Sequence, residues 1–508
     1  MKAMTAAKIA EVTNGRVIAG DPESLVWDTC TDSRQAAPGK LFVPVIGANV
    51  DGHTFIPKAA ELGGAAAFTS EGIPGETWEH RMALIAVPNA VHALQALGAY
   101  YRSLYPKLPV IGITGSVGKT TTKEMIAAAL SVRYNVLKTA GNMNSQVGLP
   151  QMMLRIEDSH EIAVIEMGMS EEGEMARLAP ISRPQTVVMT NIGVSHIGQL
   201  GSKENIRKEK LNIINAFEEG GVLYVNGDDV LLNQIASEPE AVSMADGTRA
   251  KLALARVERY GTKADDEITA DEMASDEMAC SGRTSAEGKG CRAPLHLATD
   301  IRMEESRSIF TYHTKDGGEE EIVLSVPGIH NVHNALAALA IAEQFGIPAC
   351  ESKKGLAAYQ PAPMRGRIEE HGGITLIDDT YNASPDSMKG SVEVLAGIAG
   401  AKRRIAVFAD MLELGALSRD CHYEIGEYIA KKTAGAPDLV VVIGTEAAHI
   451  VSGIKENGGK QLTEQFHTNA EAALYLKKIL KTGDAVIIKG SRSMKTEEIA
   501  NALREAFS

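Results

Sequence analysis

Residues 110–122 read Val-Ile-Gly-Ile-Thr-Gly-Ser-Val-Gly-Lys-Thr-Thr-Thr, and this stretch decides the fold around it. The apolar segment Val110–Ile113 predicts a short strand that runs into a glycine-containing turn, followed by a helix. Gly115 and Gly118 allow the turn to bend with its N–H groups pointing inward at anionic oxygens. The helix adds its positive N-terminal end, so the stretch predicts a binding site for phosphates.

The next residues indicate a nucleoside triphosphate. Lys119 can reach the outer phosphates, and the Thr120 hydroxyl can hold Mg²⁺. The spacing differs from the usual P-loop, because only two residues separate Gly115 from the Gly-Lys pair, although Gly112 gives a longer count. A chance glycine-rich turn is the alternative interpretation. The helix-forming run Glu124–Leu130 and the Lys-Thr pair favour nucleotide binding.

The composition describes a large acidic chain. Its 508 residues, 44% of them hydrophobic, are enough for roughly two to four domains with real cores. Lys and Arg number 51 against 65 Asp and Glu, which gives a formal net charge of −14. No basic tract offsets this charge, so a nucleic-acid backbone is disfavoured as a partner. Local lysines, arginines and helix ends must hold any anionic substrate.

Cysteine usage and hydropathy predict a cytoplasmic, soluble protein. The five cysteines are scattered, which suits free thiols in a reducing compartment. No apolar run approaches the roughly 20 residues that a membrane-spanning helix needs. The first residues, Met1–Val12, lack the long apolar core of a secretory signal.

Strand and helix patterns alternate along the chain and predict an α/β protein of three domains. We expect a small α/β domain over 1–107, a central parallel-sheet P-loop domain over 108–346, and a Rossmann-like domain over 347–508. The candidate strands are Lys40–Val45, Gly64–Phe68, Ala83–Val87, Val110–Ile113, Ile162–Ile165, Thr186–Thr190, Gly221–Val225, Ile374–Ile377, Arg404–Phe408, Leu439–Ile443 and Ala485–Ile488. The candidate helices include Ile56–Leu62, Ala90–Leu104 and Asn331–Phe345.

Residues 262–292 differ from the rest, because they are rich in Asp, Glu, Ser, Gly and Lys. We expect a mobile surface excursion. Cys280 and Cys291 lie inside it, and a redox or metal role for them lacks the partner spacing of known sites.

Polar residues follow several predicted strands. Glu166 ends one strand, where a carboxylate lies beside the phosphate turn and can bind magnesium. Asn191 ends another, with His196 close behind as either a surface histidine or a ligand. Gly141–Asn144 is a polar turn and Ser202–Lys210 a charged helix start, for which ordinary turn chemistry and a solvated face are the default interpretations.

Together these motifs resemble those of the Mur ligases, ATP-dependent amide-forming enzymes of bacterial cell-wall precursor synthesis. The family pattern is Thr-Gly-(Ser/Thr)-x-Gly-Lys-Thr-(Ser/Thr), then Gly-Asn-x-Asn, then a strand-end Glu, then a strand-end Asn followed by His. The matching residues here are Thr114–Thr121, Gly141–Asn144, Glu166, Asn191 and His196. The resemblance covers nearly the whole chain outside 262–292. Ser145 departs from the pattern, because a further Asn is frequent there.

The resemblance implies that the nucleotide is ATP. The residues expected to bind it are Thr114, Gly115, Ser116, Val117, Gly118, Lys119, Thr120, Thr121, Asn331, Asn334, Arg367 and Asp379. The adenine-side run has two registers, His330 with Asn331 or His333 with Asn334. Arg367 and Asp379 have a plain structural alternative as ion-pair residues.

The resemblance also implies two Mg²⁺ ions and a lysine carbamylated by CO₂. The expected catalytic residues are Lys119, Glu166, His196 and Lys210. Thr120 would hold one ion, and Glu166 with His196 would help to hold the second. Lys210 would join them as a carbamate, because an ammonium would repel Mg²⁺; Lys208 is the competing register.

The run 379–388, Asp-Thr-Tyr-Asn-Ala-Ser-Pro-Asp-Ser-Met, resembles the branch that adds D-alanyl-D-alanine to a UDP-N-acetylmuramoyl-tripeptide. Relatives that add diaminopimelate or lysine usually have a Tyr-Ala-His-type run there, and diaminopimelate-adding members carry a later Asp-Asn-Pro-Arg-type signature that is missing here. The residues expected to bind substrate are Asp32, Ser33, Arg34, Gly47, Asp51, Gly52, His53, Asn142, Asn144, Tyr381 and Asn382. A monomer without nucleic-acid partners is expected.

Several alternatives stay open at this point. A diaminopimelate- or lysine-adding Mur ligase and a folylpolyglutamate-type ligase share most of the pattern. A P-loop kinase, an ATPase switch or a silent nucleotide-binding partner would share only the P-loop, and the retention of Lys119, Glu166, His196 and Lys210 argues against the silent partner. The third residue of the acceptor peptide and the base for the incoming amine are not indicated.

Overall fold

The computed structural model describes residues 1–47, 50–73, 78–263, 296–304, 306–433 and 435–508. Three α/β domains follow one another, as the sequence predicts. The sequence predicts a mobile excursion over 262–292 that contains Cys280 and Cys291. Beyond residue 263 this segment lies outside the described residues. In the described part of the chain, no helix is long and apolar enough to cross a membrane.

The N-terminal domain has a five-stranded sheet in the order β2-β7-β6-β5-β4, in which only β2 runs antiparallel to its neighbour. A separate pair, β1 and β3, is antiparallel. The strands are β1 (Met4–Thr5), β2 (Arg16–Ala19), β3 (Leu25–Val26), β4 (Asp28–Cys30), β5 (Lys40–Phe42), β6 (Ala66–Thr69) and β7 (Ala83–Ala86). The α-helices are Ala6–Val12, Ile56–Glu61 and Ala90–Ser103.

The central domain has a nine-stranded sheet in the order β16-β15-β14-β13-β12-β11-β8-β10-β9. Its strands are β8 (Val110–Thr114), β9 (Val136–Lys138), β10 (Ile162–Glu166), β11 (Thr186–Met189), β12 (Val222–Asn226), β13 (Arg256–Gly261), β14 (His296–Met303), β15 (Ser308–His313) and β16 (Glu319–Leu324). Its α-helices are Lys119–Leu130, Gly148–Met153, Glu174–Ser182, Ile197–Leu200, Lys203–Leu211, Val230–Ser237, Asp246–Leu254 and Ile329–Gln344.

The middle of this sheet explains the apolar runs in the sequence. Every residue of β8, β10, β11 and β12 is buried, because helices cover both faces of the parallel strands. The carboxyl ends of β10, β8 and β11 are neighbours at one edge. Side chains that follow these three strands therefore share one cleft.

The strands β14, β15 and β16 form an antiparallel extension of the central sheet, which the sequence analysis did not name. Their alternating burial is typical of strands with one solvated face. Continuous apolar runs indicate strands that are buried on both faces, and these half-buried strands lack such runs.

The C-terminal domain has a six-stranded sheet in the order β17-β18-β22-β19-β20-β21, parallel except for β17. Its strands are β17 (Arg367–His371), β18 (Ile374–Asp378), β19 (Arg403–Ala409), β20 (Leu439–Ile443), β21 (Leu462–Phe466) and β22 (Asp484–Lys489). Its α-helices are Pro385–Ala396, Ser418–Lys432, Ala448–Glu456, Asn469–Ile479 and Glu497–Ala506.

One further helix, Ala349–Ala357, follows the helix Ile329–Gln344. Ala349, Leu356 and the following Tyr359 are buried in the central core, and Gly355 packs against the backbone of Ala128 in the helix Lys119–Leu130. This helix therefore packs with the central domain, although it follows the boundary predicted at residue 346.

Candidate active site

The predicted strand–turn–helix is present: β8 ends at Thr114 and the helix Lys119–Leu130 begins directly after the turn. The turn needs its glycines. Gly118 has φ +84°, and a Cβ at Gly115 would lie 1.9 Å from Thr190 Oγ1. No larger residue fits either position without moving the backbone.

The two residues that follow β11, Thr190 and Asn191, fix the shape of this P-loop. Asn191 accepts the Val117 N–H through Oδ1 at 2.8 Å and the Ser116 N–H through its backbone carbonyl at 3.0 Å. Thr190 Oγ1 donates to the Val117 carbonyl at 2.6 Å. Asn191, the predicted strand-end asparagine, therefore stabilises the P-loop by hydrogen bonds to its backbone.

Glu166 lies directly beside the start of the P-loop helix. Its carboxylate accepts hydrogen bonds from Thr120 Oγ1 at 2.9 Å and from Asn144 Nδ2 at 2.7 Å. The residue is 2% exposed. The structure thus brings together three predicted residues and sets a hydroxyl and a carboxylate, the hard oxygen donors that suit Mg²⁺, in contact.

Two lysines converge on one backbone carbonyl. Lys119 Nζ donates to the Gly115 oxygen at 2.7 Å, and Lys210 Nζ donates to the same oxygen at 3.1 Å. Burial, and then the charge of Lys119, hold the pKa of Lys210 well below its usual range. Burial also lowers the pKa of Lys119, against the opposing effect of Glu166. Lys210 rather than the half-buried Lys208 is the lysine at the loop.

His196 contacts the C-terminal domain instead of Glu166. Its Nδ1 lies 2.7 Å from Glu413 Oε2, although the two groups are not aligned as a regular hydrogen bond. His196 and Glu413 both have left-handed backbones, with φ of +65° and +66°. This contact joins two domains, and no spacing in the sequence indicates it.

The helix Ile329–Gln344 packs along the P-loop helix. The buried Asn334 accepts the Thr122 hydroxyl through Oδ1 at 2.9 Å, and a Cβ at Gly118 would meet that same oxygen. His333 Nε2 lies 2.6 Å from Asp228 Oδ2. Asn331 Nδ2 instead donates to the Pro327 carbonyl at 2.7 Å. Asn334 is thus the member of this run that reaches the loop.

A cavity of about 310 Å³ opens beside the P-loop, at the ends of β11 and β12. Asn191, Asp228, Asp229 and His333 line it from the central domain, and Asp386 from the C-terminal domain. Burial raises the pKa of Asp229 to about 6, although the N–H groups of Ile192 and Leu232 donate to it. The sequence analysis missed these acids, although an Asn-Gly-Asp-Asp run after a buried strand was a signal.

Arg365, which the sequence analysis does not single out, acts electrostatically on the P-loop lysine, Lys119. The Arg365 guanidinium stacks on the Tyr381 ring, 3.7 Å from its centroid, and its charge helps to lower the pKa of Lys119, after burial. Arg367 is exposed and lies 3.2 Å from Glu369. The run Met-Arg-Gly-Arg contains both arginines, and the sequence alone does not separate them.

The other predicted residues of the C-terminal domain lie at the carboxyl edge of its sheet. Asp379 accepts from Lys489 Nζ at 2.5 Å and from Ser391 Oγ at 2.8 Å. Asn382 is exposed and accepts the Arg492 N–H at 3.3 Å. Asn142, in the central domain, is exposed in its turn.

The predicted residues of the N-terminal domain form a separate group at the carboxyl edge of that sheet. His53 Nδ1 lies 2.7 Å from Asp51 Oδ1, and Ser70 N–H donates to His53 Nε2, so the ring proton is on Nδ1. Arg34 turns back on Asp32 and lowers the pKa of that carboxyl to about 2. Ser33 is buried, Gly47 donates to the Val50 carbonyl, and a Cβ at Gly52 would lie 2.6 Å from Val45 N.

Comparison with known proteins gives consistent similarities. Three family descriptions match: "Mur ligase family, catalytic domain" over 29–102, "Mur ligase middle domain" over 113–287 and "Mur ligase, glutamate ligase domain" over 366–492. A Bacillus subtilis protein named UDP-N-acetylmuramoyl-tripeptide--D-alanyl-D-alanine ligase is 34% identical over 505 residues, 99% of this chain and 98% of that protein.

Two solved structures are also similar over most of their length. A crystal structure of MurF from Acinetobacter baumannii has a TM-score of 0.81 at 28% identity, covering 99% of each chain. A MurF ligase from Thermotoga maritima in complex with ADP has a TM-score of 0.74 at 26% identity, covering 94% of this chain and 97% of that one.

Proposed function

Because this chain belongs to the Mur ligase family, we propose that it joins D-alanyl-D-alanine to a UDP-N-acetylmuramoyl-tripeptide at the expense of ATP. The observation that carries the proposal is the full-length similarity to a protein named for this reaction, combined with an intact P-loop, Glu166 and paired lysines at one sheet edge. The run 379–388 supports the same branch over the diaminopimelate- or lysine-adding one.

The chemistry explains why such a site is needed. A carboxylate does not react with an amine directly, because oxide is a very poor leaving group. In our proposal a peptide carboxylate oxygen attacks the γ-phosphorus of ATP and ADP leaves. The amine then attacks the acyl carbon, phosphate leaves with that oxygen, and the nitrogen loses a proton. Both steps collect negative charge, which fixed cations and N–H groups must stabilise.

Lys119 and the loop N–H groups supply part of that stabilisation. In the structure the Lys119 ammonium is held by the Gly115 and Ser116 carbonyls, so it is already directed into the loop. Its approach to bound phosphates would exchange these contacts for charge-assisted ones. A first Mg²⁺, when bound, would neutralise phosphate charge, and the Thr120 hydroxyl is the oxygen donor that would hold it.

Lys210 suits carbamylation by CO₂. A buried amine whose pKa is lowered retains the neutral, nucleophilic form, and carbamate formation would replace a repelled ammonium by an anionic oxygen donor. Carbamylation would also avoid the repulsion that an ammonium on Lys210 would have with Lys119, because both side chains contact the Gly115 carbonyl. The carbamylated Lys210 would then hold a second Mg²⁺ together with His196 and Glu166.

The outer domains would bring the two reactants to this edge. Asp32, Ser33, Arg34, Gly47, Asp51, Gly52 and His53 would bind the UDP end of the acceptor, and Asn142 and Asn144 its reacting end. In the C-terminal domain Asp379 and Arg365, with the predicted Arg367, would approach ATP, while Tyr381 and Asn382 would face the incoming dipeptide. Closure of this domain would protect the acyl phosphate from water. A cytoplasmic monomer remains part of the proposal.

The test is coupling with product mass as the readout. The protein, ATP and Mg²⁺ are mixed with a UDP-N-acetylmuramoyl-tripeptide and, in separate reactions, D-alanyl-D-alanine, diaminopimelate with the dipeptide acceptor, or no amine. We expect a UDP-pentapeptide and one ADP per product only with D-alanyl-D-alanine. ADP release that does not depend on the UDP-peptide would instead indicate a kinase or an ATPase switch.

A further inference from the structure

The contact between His196 and Glu413 is the place where the C-terminal domain touches a predicted ligand residue of the central domain. The His196 Nδ1 atom is buried, and Glu413 Oε2, 2.7 Å away, is its nearest ionic partner. Glu413 lies in the run Met411–Gly415, which resembles the third domain of the Mur ligases.

The backbone makes this approach specific. Gly198 N–H, two residues after His196, donates to the Glu413 carbonyl at 3.2 Å. A Cβ at Gly198 would lie 3.0 Å from that carbonyl oxygen and 3.1 Å from Gly415 N. The two segments therefore dock at a close distance that a larger residue at 198 would prevent.

The backbone conformation indicates that the glutamate side chain matters. Glu413 has φ +66°, in the left-handed region that glycine adopts without strain. Strained non-glycine residues cluster where their side chain has a function. His196 shares this conformation, with φ +65°, so both partners hold their side chains toward each other at the cost of backbone strain.

A carboxylate at Nδ1 has a defined effect on an imidazole. It keeps the proton on Nδ1 and so leaves the lone pair on Nε2 free to bind a metal ion. Such partners of ligand histidines fix the ring orientation, and their loss typically costs roughly 10- to 100-fold in metal affinity or activity.

We propose that Glu413 is a positioning residue that orients His196 from the C-terminal domain, so that the metal site of the central domain is complete only when the two domains are docked. This inference rests on the proposed ligand role of His196. By linkage, metal binding then favours the docked arrangement by the same factor by which docking favours metal binding.

The test is a double-mutant cycle between the two residues, with Mn²⁺ as the probe. Mn²⁺ affinity is measured by electron paramagnetic resonance in the presence of a non-hydrolysable ATP analogue, and kcat and KM are measured separately. We expect Glu413→Ala to weaken Mn²⁺ binding and to lower kcat roughly tenfold or more, with Tm and KM for the UDP-peptide unchanged. In a His196→Ala background, Glu413→Ala should change nothing further.

Three companion variants separate orientation from backbone effects. Glu413→Gln should recover part of the loss, because its amide oxygen can still accept from Nδ1. Glu413→Gly should behave like Glu413→Ala although it relieves the backbone. Glu464→Ala, on the exposed strand β21, is the matched control and should match the wild type.

Three results would each overturn the inference. One is that the effects of the two single substitutions multiply in the double variant. The others are wild-type Mn²⁺ affinity in Glu413→Ala and full recovery in Glu413→Gly. A wild-type protein that binds Mn²⁺ with the expected coupling but does not ligate D-alanyl-D-alanine would overturn the proposed function alone.

Discussion

At the scale of single residues, two arginines in one turn have different surroundings. The Arg365 side chain makes no hydrogen bond or ion pair within the described residues, and its guanidinium stacks on the ring of Tyr381. Arg367 is engaged with Glu369. The N–H donors of Arg365 are therefore available for an anion near Lys119.

We predict that Arg365→Ala lowers kcat/KM for ATP by roughly tenfold or more, because a cation beside the phosphates is lost. Arg367→Ala should lower it by less than about threefold, as expected for an exposed ion pair. Steady-state kinetics with varied ATP measure both. Arg365→Lys is the matched variant that keeps the charge and loses the stacking plane, and it should be intermediate. A large decrease of kcat/KM in Arg367→Ala, together with an unchanged kcat/KM in Arg365→Ala, would refute this assignment.

Sequence reasoning at this scale succeeded where the chemistry is contiguous. Thr114–Thr121 is one continuous stretch from a strand end through a turn to a helix start, and Glu166 ends a buried strand, so the pattern alone predicts both at a shared sheet edge. Arg365, Glu413 and Asp386 depend on how the C-terminal domain docks. No local pattern carries that information, and the motif that contains Arg365 and Arg367 does not indicate which of the two acts on Lys119.

At the scale of elements, the helix Ala349–Ala357 packs on the central domain, and Gly355 allows its close contact with the P-loop helix. A Cβ there would lie 2.1 Å from the Ala128 carbonyl oxygen, in the P-loop helix. The sequence analysis ended the central domain at 346 because one clear helix closes there. The helix Ala349–Ala357 packs on the central domain because Gly355 has no side chain, and hydrophobic periodicity does not indicate such a contact.

We predict that Gly355→Ala destabilises the protein by about 2 kcal/mol, because the backbones of two helices must separate. Thermal unfolding followed by calorimetry should show a lower Tm for the transition that nucleotide binding protects. Gly247→Ala is the control, because open space surrounds that position and alanine favours a helix. Equal Tm values for the two variants would show that the helix is not packed as described.

The antiparallel extension of the central sheet contains a buried ionic cluster. Glu258 on β13 contacts His296 on β14 at 3.3 Å, Arg256 at 2.8 Å and Lys315 at 3.3 Å. Burial alone would raise the pKa of Glu258, but the hydrogen bond with His296 and the charges of Arg256 and Lys315 lower it from 4.5 to about 2. The ionised carboxylate therefore stabilises the folded state above pH 4.5, and that contribution is lost as pH falls toward 2.

We predict that Glu258→Gln is less stable than the wild type by roughly 2–3 kcal/mol at pH 7, and that the difference shrinks as pH falls from 4.5 toward 2. Tm measured across this range for both proteins gives the difference. A constant gap at all pH values would mean that the loss comes from packing rather than from the charge of Glu258.

At the scale of the whole molecule, the three domains have separate roles in the proposed reaction. The chain's three-domain α/β order was predictable, because buried parallel strands leave continuous apolar runs with helices between them. The relative placement of the domains was not, because it depends on close contacts such as that between Gly198 and the Glu413 carbonyl.

This division predicts that Lys119→Ala abolishes turnover, by about a thousandfold or more, while the N-terminal domain still binds the UDP-peptide. Isothermal titration with the UDP-peptide in the absence of ATP measures binding, and product formation measures turnover. Lys208→Ala is the control and should retain activity, because that lysine lies half-buried away from the loop carbonyl. Loss of both functions in Lys119→Ala would mean that the domains do not divide the work in this way.

The central claim is that ATP phosphorylates the peptide carboxylate before the amide forms. The most direct measurement uses a UDP-N-acetylmuramoyl-tripeptide whose reacting carboxylate carries ¹⁸O in both oxygens, with mass spectrometry of the released phosphate. We predict one ¹⁸O atom in each phosphate and one in the new amide carbonyl. Unlabelled phosphate, or label found in AMP, would contradict the account.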